Sequence, residues 1–146
     1  MSKRVSIKDI EPAAYTAMMA LEDYASAVDV DHLLKELIKI RASQINKCAF
    51  CIDMHTEDAI KHGENPRRIY LLSAWEESSL FTEEERAVLK LTEEITNISE
   101  LGVKDETYNN VIKHFGEKVT AQIIMLIVTI NSWNRIAVST RMIYKE

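Results

Sequence analysis

From Ile123 to Ile130 the chain carries eight residues, and only Thr129 is polar. The stretch lies inside a longer run, Glu117 to about Tyr144, that contains neither Gly nor Pro. A helix built from it has no polar face in its middle. It has to be buried all round, at the centre of the fold or against another subunit. It falls far short of the ~20 apolar residues of a membrane span. Turn signals are scarce elsewhere too, with three Gly and two Pro in 146 residues. Long helices are therefore favoured over many short strands, and no stretch sustains strand alternation. The expectation is an all-α, single-domain helical bundle of about six or seven helices spanning residues 1–146.

The other helices follow from caps and periodicity. Pro12 opens a first helix at its N1 position, running through Met18, Met19 and Tyr24 towards Val28, with the Met pair filling core. Asp29 or Asp31 caps a second, with Leu33, Leu34, Leu37, Ile38 and Arg41 at helical spacing. On pattern alone, Glu36 flanks that stripe as a solvated residue. Asn46 caps a third helix that starts near Cys48 and stops at Gly63. His62 reads as a last-turn residue facing carbonyls, not as a ligand. Asn65-Pro66 restarts the chain into a short helix, Arg67 to Trp75, with Ile69, Leu72 and Trp75 inward. Thr82 and Glu85 form a capping box for a helix that ends at Leu101-Gly102. Asp105 caps the next, which Gly116 ends, with His114 in its last turn. In the final helix Trp133 reads as a packing residue.

The chemistry is concentrated in Cys48-Ala49-Phe50-Cys51-Ile52-Asp53-Met54-His55, which contains both cysteines of the protein. At ~100° per residue, Cys51 lies about 60° from Cys48 around a helix and His55 about 20° from it. Three readings stay open on residues alone. The thiols cycle between dithiol and disulfide, with the helix start favouring a Cys48 thiolate and His55 carrying the proton. Alternatively, Cys48, Cys51 and His55 bind zinc, with Glu36 or His62 as a fourth ligand. In the third reading the thiols are small buried hydrophobes.

Charge and context narrow the partners. A net charge of −5 gives no electrostatic case for nucleic acid or an anionic membrane surface. Met1 to Glu11 is polar and basic with no apolar leader core, so a cytoplasmic location is expected. There a permanent structural disulfide is disfavoured, and C-x-x-C reads as catalytic, redox-sensing or metal-binding. A helix rich in Leu and Ile precedes the motif where a thioredoxin fold would place a strand.

Glu36, Cys48, Cys51 and His55, with Ile40 to Asn46 ahead of the cysteines, resemble the signature of the alkylhydroperoxidase AhpD-like family, part of the carboxymuconolactone decarboxylase superfamily. Leu71 to Trp75, Phe81 to Leu89 and Asn131 to Val138 support the likeness, which covers most of the chain from about Asp31. The resemblance implies an all-helical fold, homotrimers or hexamers, and thiol-dependent reduction of hydroperoxides by a thiol or protein reductant. It implies no cofactor or metal beyond a redox-active Cys48–Cys51 disulfide. By position, Cys51 would be the peroxidatic cysteine and Cys48 the more exposed partner that resolves it. Glu36 and His55 would form a proton relay. Phe50 occupies the place of a second histidine in one branch of the family, removing a proton-handling group. The alternative activity is that of a dithiol–disulfide partner or sensor with little peroxide turnover.

Overall fold

A computed structural model describes residues 4–145, so both ends of the 1–146 span lie outside it. The helices are α1 (Ile7–Ile10), α2 (Pro12–Ala27), α3 (His32–Ile45), α4 (Ala49–Lys61), α5 (Pro66–Leu71), α6 (Glu83–Thr96), α7 (Ile98–Leu101) and α8 (Asp105–Thr140), with a 3-10 turn over Leu72–Glu77 after α5. Among the described residues there is no strand. The all-α architecture is as expected.

Most boundaries follow the cap chemistry. Asp31 accepts from Leu34 N–H at the start of α3, and Asn65 accepts from Arg67 N–H ahead of Pro66. Thr82 and Glu85 form the reciprocal capping box of α6. Three boundaries differ. Asp105 is the first residue of α8 rather than its cap, which is Lys104. The helix expected to reach Leu101 stops at Thr96, because Asn97 leaves helical geometry and a separate turn, α7, follows. The last helix ends at Thr140 rather than Tyr144. There Arg141 turns into the left-handed region at φ 55, and Met142 N–H closes on Ala137 O. Gly116, at φ 74, breaks α8 into the two segments read from the sequence, residues 105–115 and 117–140. Such a φ is strained for a side-chain-bearing residue and free for glycine.

Among the described residues the core has three centres, of which the smallest surrounds the two cysteines. Ile123, Leu126 and Ile127 of α8 meet Leu34 and Ile38 of α3 and Val88 and Leu91 of α6 in the largest cluster. Leu37 and Ile40 of α3 join Leu72, Trp75 and Leu89 in a second. Each fully buried Leu or Ile contributes about 1.5–3 kcal/mol. α3 thus packs against α4, α6 and α8 at once and is the true axis of the bundle. By length and composition α8 could cross a membrane, but its Val111, Ile123, Leu126 and Ile127 are inserted into this core. One position of its apolar stretch stays open: Val128 is 37% exposed.

Candidate active site

α3 carries Glu36 on its buried side, and α4 carries Cys51 and His55 on the side that faces it. The link between these helices is tight. α3 ends at Ile45, Lys47 takes a left-handed φ of 55, and Cys48 N–H returns to Ser43 O at 2.9 Å. A lysine in that region costs about 1–3 kcal/mol and persists only where its surroundings hold it.

The holding groups are asparagines. Asn46 Nδ2 donates to Asn131 Oδ1 and Asn134 Oδ1, both at 2.9 Å. Asn134 Nδ2 donates to Ser43 Oγ at 2.9 Å, and Ser43 Oγ donates to Lys39 O at 2.6 Å. This corrects the reading of Asn46 as a helix cap. It closes α3, and its side chain ties the loop to α8. The N-cap of α4 is Cys48, whose Sγ accepts from Cys51 N–H at 3.3 Å. We expect Asn46→Ala to leave the Oδ1 of buried Asn134 without this donor and lower unfolding free energy by about 1–3 kcal/mol, measured by urea titration.

Cys48 and Cys51 are joined as a disulfide. Both are 1% exposed. The expected difference in exposure between them is absent, because both sulfurs sit in the cluster formed with Ala42, Ile130 and Ala137, with Phe50 and Trp133 against it. What separates the two cysteines is the cleft each borders. Cys51 and His55 line an apolar cleft of about 300 Å³ walled by Met19, Phe50, Met54 and Trp133. Cys48 lines a wider one of about 620 Å³ with Arg4, Lys47 and Arg141 on it.

Glu36 is 1% exposed, not a solvated flank residue. Its Oε2 lies 2.8 Å from His55 Nδ1, and its Oε1 accepts from Lys39 Nζ at 2.9 Å. Burial pushes this carboxyl up. The hydrogen bond and charge of His55, together with Lys39, outweigh burial and hold it below the ordinary carboxylate range. Glu36 is therefore ionised and accepts the Nδ1 proton, which leaves His55 Nε2 for exchange with the cleft. Glu36 and His55 thus meet each other, and His55 shares a cleft with Cys51.

Some contributors were missed. Lys39, one turn after Glu36, had a visible spacing signal. Met19 is not core filling but lines the Cys51 cleft. Trp133 also lines it, and its Nε1 donates to Glu22 Oε2 at 2.8 Å. No local pattern separates such residues from core, because the cleft forms only when α2 lies across α4 and α8.

An all-helical bundle with a C-x-x-C pair on a helix start, beside a buried Glu–His pair, defines a class of helical dithiol proteins. A model of the carboxymuconolactone decarboxylase family matches residues 12–94, and the chain belongs to that family. It is 47% identical to the uncharacterized protein YdfG of Bacillus subtilis over 95% of each chain. The solved structure of ATU0492 from Agrobacterium tumefaciens, a protein of unknown function named as a candidate antioxidant defence protein AhpD, is similar at a TM-score of 0.96 with 39% identity, covering 99% of both chains. The peroxidase-related protein from Ralstonia eutropha JMP134, an AhpD core, shares the fold at a TM-score of 0.81 and 18% identity, over 93% of this chain and 73% of that one. The family takes its name from an enzyme, a carboxymuconolactone decarboxylase.

Proposed function

We propose that this protein is a thiol-dependent peroxidase that reduces organic hydroperoxides, with Cys51 as nucleophile. The observation that carries the reading is the ionised, buried Glu36 holding His55 on the cleft that Cys51 borders. The Cys51 thiolate attacks the terminal peroxide oxygen and the O–O bond breaks. Cys51 becomes a sulfenic acid, and the alkoxide leaves as an alcohol with a proton from His55 Nε2. Glu36 stabilises the imidazolium that supplies this proton. The Cys48 thiolate, favoured by the Cys51 N–H at the helix start, then attacks the sulfenic sulfur. The S–S bond forms and hydroxide leaves as water with one proton. Two electrons from a thiol or protein reductant restore the dithiol.

The test is consumption of cumene hydroperoxide with dithiothreitol as the electron donor. We expect saturable turnover, with one dithiothreitol oxidised per peroxide. A reversible Cys48–Cys51 couple with no turnover above the free-thiol background would overturn the enzyme reading in favour of a redox partner or sensor.

The same proposal places the protein in the cytoplasm and in a homotrimer or hexamer. The open Val128, and the exposed Met19 and Tyr24 on α2, supply apolar surface for contacts between copies. A sedimentation mass of one chain would contradict the assembly.

A further inference from the structure

α3 and α4 are joined by two rungs. The inner rung, Glu36–His55, belongs to the redox site. The outer rung lies one turn away on each helix, since His32 precedes Glu36 by four residues and Asp58 follows His55 by three. His32 Nε2 lies 2.9 Å from Asp58 Oδ2. His62, one further turn along α4, brings Nδ1 to 3.5 Å from Asp58 Oδ1 and 2.8 Å from Asp58 O. The His32 and His62 rings lie against each other, with centroids 4.1 Å apart and planes tilted by 47°.

Two imidazoles and a carboxylate thus converge from two helices, with one donor atom of each within 4.8 Å of the others. None of the three is used by the proposed peroxidase chemistry. Their side chains are 46%, 39% and 52% exposed for His32, Asp58 and His62, so they can rotate and an ion can reach them. The two lysines lining that cleft are both paired, Lys39 with Glu36 and Lys61 with Glu57, each at 2.9 Å.

We propose that His32, Asp58 and His62 form a binding site for a divalent late-transition cation. Imidazole donors select borderline metals such as Zn²⁺, Co²⁺ and Ni²⁺ over Mg²⁺ and Ca²⁺, which prefer all-oxygen shells. Around a tetrahedral ion, ligand bonds of about 2.0–2.2 Å set donor atoms roughly 3.3–3.6 Å apart. The 2.9 Å His32–Asp58 pair has to open slightly, and any separation nearer the 4.8 Å limit has to close. Rotation of three partly exposed side chains supplies that adjustment. The residues Asp58 and His62, four apart on one helix face, form the bite. His32 completes the set from α3, leaving the solvent side for water. His62, read from the sequence as a last-turn residue facing carbonyls and not as a ligand, does meet the Asp58 carbonyl and gains a second role in this proposal.

The probe is Zn²⁺ alone, titrated calorimetrically at pH 7 into oxidised protein, where the Cys48–Cys51 disulfide withholds both sulfurs as ligands. We expect saturable binding of one ion per chain. His32→Ala, His62→Ala and Asp58→Asn should each weaken it by about tenfold or more, equivalent to about 1.4 kcal/mol. Circular dichroism of these surface variants should match the wild type. A Cys48→Ser/Cys51→Ser double variant should bind as wild type, and with Co²⁺ in place of Zn²⁺ the visible absorption band should disappear in both His variants. Absence of saturable binding, or wild-type affinity in His32→Ala or His62→Ala, would overturn the site.

Discussion

Cys51→Ser is expected to reduce hydroperoxide turnover by about three orders of magnitude or more, because its thiolate is the group that attacks the peroxide in the proposed cycle. A serine hydroxyl at this position is neither ionised near neutral pH nor able to cleave the O–O bond. Cys48→Ser should behave differently. It retains the first step, so one equivalent of peroxide is consumed and a sulfenic acid accumulates on Cys51, detectable by mass and by dimedone labelling. Further turnover then depends on an external thiol reaching Cys51 through the apolar cleft lined by Met19, Phe50 and Trp133. Undiminished turnover in Cys51→Ser would reject the mechanism, and a burst in Cys51→Ser instead of Cys48→Ser would exchange the two roles.

Glu36→Gln should lower the rate by about 10²-fold while leaving the cysteines intact. The amide preserves the side chain's size and can still accept from His55 Nδ1. It removes the negative charge that stabilises the imidazolium and leaves Lys39 without its partner. Truncation is harsher. Glu36→Ala removes one member of a buried charged set and should destabilise the fold by about 3–5 kcal/mol.

The pH dependence of stability has a definite sign. Glu36 sits below its ordinary value of 4.5 in the folded state. Its contribution is complete above the unfolded value and is lost as pH falls through the folded one. The wild type should therefore lose stability below about pH 4.5, and Glu36→Gln should lose less over the same interval, as read by urea unfolding at each pH. Equal acid slopes for the two proteins would show that Glu36 gains nothing from its partners.

Much of this was legible where local chemistry decides. The Thr82–Glu85 box, the Asn65-Pro66 start and the break at Gly116 all depend on residues within a turn of each other, and the structure has all three. Glu36 was different. Its position beside an apolar stripe read as solvated, and only the family resemblance moved it to the site. Its burial depends on α4 crossing α3 to deliver His55, a contact 19 residues away. Asn46 was misread for a related reason. Its cap propensity is real, but Asn131 and Asn134 compete for its side chain from 85 and 88 residues away, and they win. The expected exposure of Cys48 likewise rested on a motif that says nothing of α8, whose Ile130 and Ala137 join both cysteines in one cluster. The all-round burial of the Ile123–Ile130 segment held for five of its eight residues, with Ile124 and Met125 half-buried and Val128 exposed.

The asparagine knot has a consequence for electron traffic. A loop fastened at Ser43, Asn131 and Asn134 does not rely on the sulfur bond to keep its shape. Opening that bond then leaves the backbone around Cys48 where it was, and little reorganisation energy accompanies each cycle. Reduced and oxidised protein should accordingly give nearly superimposable amide spectra, with shifts confined to the few residues that touch the two sulfurs.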